Sequence, residues 1–358
     1  MAFPNIAAAV RFDIEYKSVK GLSLELTVWA PTAGQADAAG LSALSRCPAC
    51  INFHPGGLTG GIRTDWLPEY LIDEALGQGI VCATVEYRLL PRTPAVEILQ
   101  DATDAYFFVR DKLSDELLAR GLPCIDPQRV GVSGLSGGGW CAATLGGLDI
   151  GVKAVFGIYG MVGVDSPYYN TVRPEATIFG IPPLPPPSDF ARLSQLPELA
   201  GLPLIDFSKT REEYEKMGQN ALDHYDQIVF SIHLIQYGCY ANQITGTDGL
   251  SEKLSEPDLE KRKAIVPSNL HKLFPLLNIG PNYPLTALLH GTLDDGVPIE
   301  DSDNWKAQLD KVGAPNKLVR VPDAKHGFEV GLKNSNDEPL WHDYVSKAVG
   351  FFLKHLKE

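Results

Sequence analysis

The sequence predicts an α/β architecture: an eight-stranded, mostly parallel sheet with helices on both faces and an inserted, mainly helical cap. Three observations carry this. Short apolar strand-like runs alternate with helix-period segments over most of the chain, which implies a parallel sheet covered on both faces. The alternation stops at about residue 160 and resumes at about 280, as an insertion would make it do. The 358 residues, 44% of them hydrophobic, suffice for one large domain with such an insertion.

The elements follow in order. Residues 10–17 alternate, with Phe12, Ile14 and Tyr16 on one face, and residues 22–29 alternate again through Leu22, Leu24, Leu26 and Val28. Residues 49–53 make a third strand, ended by His54-Pro55-Gly56-Gly57. A helix over 66–76 is stopped by Gly77 and Gly79. Residues 80–87 are an apolar run of buried-strand type, and 95–118 have helical periodicity through Ile98, Ala102, Ala105, Phe108 and Val109. A strand at 129–133, a small-residue helix at 137–145 and a strand at 152–159 come next. The insertion carries a Pro-rich loop at 180–187 and several helices, of which 214–240 is the longest. Strand 285–290, helix 303–312, strand 317–321 and helix 341–356 close the chain. The expected division is a core of residues 1–160 and 281–358 and a cap of residues 161–280. There is no internal repeat.

Composition narrows the function. A formal net charge of -13 argues against a nucleic-acid partner, which needs clustered Lys and Arg. No run approaches the roughly 18–20 apolar residues of a membrane span. The first ten residues lack a basic n-region and a full apolar h-region, and there is no Asn-x-Ser/Thr acceptor. A cytoplasmic location is expected. The six cysteines are no disulfide framework in a chain this long. Cys47-Pro48-Ala49-Cys50 has redox or metal spacing, but it stands alone and runs into a strand, so structural thiols are expected.

Four motifs carry chemistry. Gly134-Leu135-Ser136-Gly137-Gly138 fits G-x-S-x-G between a strand and a small-residue helix, the context in which a sharp turn exposes a nucleophilic serine. Ser133 competes, but a serine inside the strand would be poorly exposed. His54-Pro55-Gly56-Gly57 follows the third strand. Gly56 and Gly57 carry no side chain to block an approaching oxyanion, and Gly137 adds a further N–H. Proline has no N–H, so Pro55 has only a conformational part. His290-Gly291-Thr292-Leu293-Asp294-Asp295 follows a strand and places a carboxylate at the sheet edge, where it can fix a histidine tautomer. Spacing alone leaves Asp294 and Asp295 both open, and His290 reads as structural. His326-Gly327-Phe328 follows the last strand and supplies the general base. His224, His233, His271, His342 and His355 lie in helix-like segments and read as structural. None of the histidines has convincing zinc spacing, and no metal or cofactor is expected.

With these motifs the chain resembles the α/β-hydrolase superfamily, and within it the carboxylesterase and hormone-sensitive-lipase-like branch. The order Ser136, Asp294, His326 is similar to the family order of nucleophile, acid and histidine. His54-Pro55-Gly56-Gly57 looks like its HGGG oxyanion motif, and Glu86-Tyr87-Arg88-Leu89-Leu90-Pro91 like its Y-R-L-x-P segment. The family pattern H-G-x-x-D-x-x-V-P aligns its acid with Asp294 rather than Asp295. Three features depart from the branch. Pro55 replaces a glycine, Leu135 stands where an acid is usual, and the N-terminal cap extension is nearly missing. The resemblance implies a serine esterase with an acyl-enzyme, acting on a small-molecule ester or lactone of small to medium hydrophobic character. Tyr168, Tyr169, Phe179 and Tyr240 of the cap are candidate pocket residues, although for any one of them simple cap core is the favoured reading. The alternatives are a cyclase, lyase or acyl transferase on the same triad, and a ligand-binding receptor, which would be expected to have lost a triad member. The absence of a propeller-sized extra domain counts against an oligopeptidase. A homodimer is possible, but no motif specifies one.

Overall fold

The computed structural model describes residues 3–40, 46–207, 209–332 and 338–358. Eight strands form one sheet in the order β1-β2-β4-β3-β5-β6-β7-β8. They are β1 (Val10–Val19), β2 (Leu22–Ala30), β3 (Cys47–Phe53), β4 (Val81–Val85), β5 (Ile125–Leu135), β6 (Ala154–Ile158), β7 (Leu285–Gly291) and β8 (Asn316–Val321). β1 and β2 form a hairpin whose two turn residues, Lys20 and Gly21, both have positive φ, as the tight primed turns require. β2 pairs antiparallel with β4, and every pair from β4 across to β8 is parallel.

The strand order fixes where a site can form. The chain steps from β3 to β4 on one side, then crosses back to place β5 on the other side of β3. Connections that diverge from neighbouring strands open a crevice beyond their carboxyl ends. The segments that leave β3 and β5 there begin with His54 and Ser136.

Both faces of the sheet are covered, which explains the unbroken burial of β3, β4 and β6. Ile51, Phe53 and Val132 pack with Ile98, Ala102, Trp140 and Trp305, from helices Ala95–Asp111, Gly137–Gly146 and Ile299–Val312. On the other face Cys50, Phe156 and Ile158 pack with Tyr70, Leu71, Phe352 and Leu353, from helices Glu69–Gly77 and Ser346–Lys357. Phe352 is fully buried, with its ring 5.6 Å from that of Phe156. Phe352→Ala is expected to cost about 3–5 kcal/mol, read as a lower urea midpoint.

The helix boundaries differ from the sequence expectations for local reasons. The 66–76 helix starts only at Glu69, because Pro68 stands at its N-cap. The 95–118 helix is two, Ala95–Asp111 and Leu113–Ala119, with a break at Lys112. The 214–240 helix is also divided. It becomes Arg211–Lys216, Gln219–Gln236 and Tyr240–Thr245, interrupted by Gly218 and Gly238 at φ 109° and 57°. A Cβ at Gly238 would lie 2.5 Å from the Thr171 carbonyl carbon, so this break lets two segments approach closely. The cysteines are free. Cys47 and Cys50 pack on opposite faces of the sheet, as residues three apart in a strand must, and so cannot form a redox pair with each other.

Between β6 and β7 the described residues form helices and turns, with only isolated bridges such as Gly61↔Leu202 and Arg88↔Ala200. Those bridges tie the segment to the loops that leave β3 and β4. Gln227 reinforces them, donating to the Thr59 carbonyl at 2.9 Å and to that of Leu90. Among the described residues no helix is long and apolar enough to cross a membrane.

Candidate active site

Ser136 lies between β5 and the Gly137–Gly146 helix at φ 51°, ψ -119°. That region is strained for an L-residue, and neighbouring strands hold it. The Ser136 N–H donates to Ile158 O at 3.0 Å, and its carbonyl accepts from Gly139 and Met161 N–H, each at 2.9 Å. A Cβ at Gly134 would lie 2.1 Å from Gly138 O, and one at Gly138 would lie 2.2 Å from Phe53 O. Both glycines of the motif are therefore required by backbone contact. Ser133 is fully buried within β5 and bonds Asn52 Oδ1 at 2.9 Å, which removes it from the crevice.

Asp294 and His326 come together from the turns after β7 and β8. Asp294 Oδ2 is 2.7 Å from His326 Nδ1. Its other oxygen accepts the N–H groups of Gly296 and Val297, each at 2.9 Å, which locks the carboxylate plane. His290 was expected to be purely structural. It is fully buried, and its Nε2 lies 3.3 Å from Asp294 Oδ2, with Nδ1 against Ser302 Oγ at 2.8 Å. It is a second imidazole on the same carboxylate oxygen, foreshadowed only by its i,i+4 spacing from Asp294. Burial alone would push the Asp294 carboxyl up. The hydrogen bonds and charges of His290 and His326 outweigh it and hold the group well below the usual carboxylate range.

The loop after β3 is held from beneath. The His54 ring stacks on Tyr87 at 4.1 Å, and Tyr87 Oη donates to His54 O at 2.8 Å. Burial lowers the His54 pKa to about 4, which leaves its ring neutral against Pro55 O. The Gly56 carbonyl accepts from Thr59 and Gly60 N–H, closing a turn with Gly56, Gly57 and Leu58 at φ 112°, 59° and 63°. This turn meets the Ser136 elbow directly. A Cβ at Gly137 would lie 2.6 Å from Gly57 N and 2.7 Å from Leu58 N.

One pocket of about 330 Å³ joins these parts. It is lined by Gly56, Gly57, Ser136 and His326 and by mostly apolar residues, including Trp66, Met161, Phe179, Phe207, Ile228, Ile232 and Ile235. Of the four aromatics expected as candidates, Phe179 lines it, with its ring 4.7 Å from that of His326. The other three do not. Tyr168 donates to Gly296 O at 3.0 Å beneath Arg173. Tyr169 is fully buried and donates to Asp301 Oδ2 at 2.9 Å. Tyr240 is fully buried and donates to Gly57 O at 2.7 Å. Their hydroxyls are used within the protein, and the isoleucines of the Gln219–Gln236 helix take the wall instead. Trp66 and Ser231 were not foreseen, since a lone Trp in a loop and a lone Ser in a helix carry no sequence signal.

Known proteins agree with this architecture. A solved structure of Thermogutta terrifontis esterase 2 with bound propionate superimposes with a TM-score of 0.54 at 18% identity, over 98% of this chain and 94% of that one. The same esterase phosphorylated by paraoxon gives 0.53 at 17% identity, over 96% and 92%. The chain therefore has an α/β-hydrolase fold. Residues 220–358 match the model of the prolyl oligopeptidase family. Over its whole length it is similar to a probable carboxylesterase M8 of Phoma sp., 25% identical over 365 residues, 99% of this chain and 100% of that one. It is also 26% identical over 320 residues to the non-reducing polyketide synthase atr1 of Stereocaulon alpinum, spanning 86% of this chain and 12% of the synthase.

Behind His326 lies a buried acid. The Tyr159 ring lies 4.4 Å from that of His326, and its hydroxyl donates to Glu329 Oε1 at 2.5 Å. Burial pushes the Glu329 carboxyl up to about 7, against the pull of the Tyr159 bond. The folded protein thus keeps a proton that the unfolded chain releases near pH 4.3. Stability from this group is full below that pH and falls as pH rises towards 7. Glu86 and Asp301 are also raised to about 7 by burial and act in the same direction. Glu329→Gln is expected to flatten part of the fall in Tm between pH 5 and pH 7. A Tm that falls as steeply as in the wild type would disprove it.

Proposed function

We propose that this protein is a serine hydrolase that cleaves a carboxylic ester or lactone of a small to medium hydrophobic substrate through an acyl-enzyme on Ser136. The observation that carries the reading is the convergence of Ser136, the Asp294-oriented His326 and a glycine turn on one apolar pocket. Ser136 Oγ attacks the carbonyl carbon while His326 Nε2 takes its proton, and Asp294 stabilises the imidazolium. The oxyanion goes to backbone N–H groups of the Gly56–Gly57 turn and of Gly137. The C–O bond then breaks, the alcohol leaves with the proton from His326, and water releases the acid by the same steps. The M8 likeness supports an ester substrate, and the apolar walls support a hydrophobic group beside the scissile bond.

A fluorophosphonate probe tests this. Labelling should map to Ser136 by mass spectrometry, and His326→Ala should suppress it. Folded wild-type protein that stays unlabelled would defeat the reading. A second reading, acyl transfer or cyclisation on the same serine, is favoured by the likeness to a polyketide synthase. Product analysis separates the two, because hydrolysis yields a free acid and the alternative a transferred acyl group or a ring.

A further inference from the structure

We infer that Tyr240 is a positioning residue for the oxyanion turn, and that the N–H it aims, that of Leu58, is a donor to the oxyanion. This deepens the ester-hydrolase reading of Ser136 and rests on it. Tyr240 belongs to the inserted segment, 183 residues from Gly57 in the chain, and its hydroxyl donates to the Gly57 carbonyl at 2.7 Å. The carbonyl of Gly57 and the N–H of Leu58 belong to one peptide unit. In a planar trans peptide the two point in opposite directions. A carbonyl held towards Tyr240 therefore turns the Leu58 N–H away from the inserted segment. On that opposite side lies the elbow, since a Cβ at Gly137 would come within 2.7 Å of Leu58 N.

Three further observations agree. Among the described residues the neighbouring N–H groups of Thr59, Gly60 and Gly61 are bonded to carbonyls, and those of Gly57 and Leu58 have no protein acceptor. Leu58 is fully buried at φ 63°, a conformation a leucine keeps only where its surroundings impose it. The inserted segment also closes over Gly57. A Cβ there would meet Ser231 Oγ at 2.6 Å and Tyr240 Oη at 3.4 Å. The segment that walls the pocket thereby also sets the backbone that stabilises the transition state.

Tyr240→Phe removes only the hydroxyl. The full chain would be assayed with p-nitrophenyl butyrate and with an alkyl trifluoromethyl ketone, whose hemiketal oxygen on Ser136 mimics the oxyanion. The expected result is a fall in kcat of about tenfold, short of the 10²–10³-fold of a lost donor. KM should stay within twofold, and trifluoromethyl ketone affinity should fall in proportion to kcat. Tyr283→Phe is the matched control. It deletes an equally buried hydroxyl that donates to Ala143 O at 2.8 Å, and it should lower Tm while keeping kcat. A folded Tyr240→Phe with unchanged kcat, or one whose kcat falls without loss of ketone affinity, overturns the proposal. Should Tyr240→Phe not fold, exchange of Leu58 for its α-hydroxy acid replaces the N–H with an ester oxygen and also weakens the Gly57 carbonyl as the acceptor of Tyr240. It should lower kcat by about 10²-fold, and unchanged turnover overturns the proposal. Absence of fluorophosphonate labelling in the wild type would bring down the Ser136 reading and this one together. Labelling with unaltered kcat in Tyr240→Phe brings down this one alone.

Discussion

Ser136→Ala is expected to lower kcat for p-nitrophenyl esters by about 10⁴-fold or more, with the protein still folded. The size follows from the chemistry. Without the hydroxyl no acyl-enzyme forms, and only the oxyanion donors and the binding pocket remain to assist attack by water. The fold should survive because the elbow is held by backbone bonds to Ile158 and Met161 that alanine keeps. Alanine also inherits the strain at φ 51°, so the substitution relieves little. Circular dichroism and the urea midpoint would verify the folded state, and single-turnover kinetics would show the missing acylation burst. A variant that keeps more than a hundredth of the wild-type rate would place the nucleophile elsewhere. It would not be Ser133, whose hydroxyl is spent on Asn52 inside the sheet.

Much of this site could be read from the chain because its chemistry is written in local sequence. The elbow needs glycines at 134 and 138 for contacts of about 2 Å with backbone, and glycine is visible as glycine. The alternation of strands and helices likewise exposed the parallel sheet, since burial on both faces forces continuous apolar runs. The parts that stayed hidden depend on contacts between distant segments. Tyr240 was placed between cap core and pocket lining because a tyrosine in a helix does not announce where its hydroxyl goes; it goes to Gly57, 183 residues away. The pocket wall fell to Ile228, Ile232 and Ile235, spaced three and four apart on one helix face. That spacing is what ordinary core packing also produces, so it could not single them out. His290 was taken for a strand-end residue because its i,i+4 spacing from Asp294 does not by itself show that the following turn folds Asp294 back onto it.

That turn makes Asp294→Asn the second large effect. Asp294 Oδ1 accepts two backbone N–H groups, from Gly296 and Val297. An asparagine must keep its carbonyl oxygen there, because an NH₂ would face two donors. Its NH₂ is then forced into the Oδ2 position, against His326 Nδ1 and His290 Nε2. His326 can meet a donor only by presenting a lone pair at Nδ1, which moves its proton to Nε2. In that tautomer it cannot accept the proton of Ser136. The expected loss in kcat at neutral pH is about 10⁴-fold, with KM little altered. The same substitution should change acid stability. The Asp294 carboxyl lies well below its ordinary value of about 3.9 in the folded protein. Its stabilisation is therefore present above that pH and is lost as pH falls towards the folded pKa. Asp294→Asn should be less stable than the wild type at pH 7, with the difference narrowing below pH 4. His290→Gln leaves the bond to His326 in place and should lower kcat far less. A variant series in which His290→Gln and Asp294→Asn lost equal activity would mean that the buried histidine, and not the carboxylate alone, sets the orientation of His326.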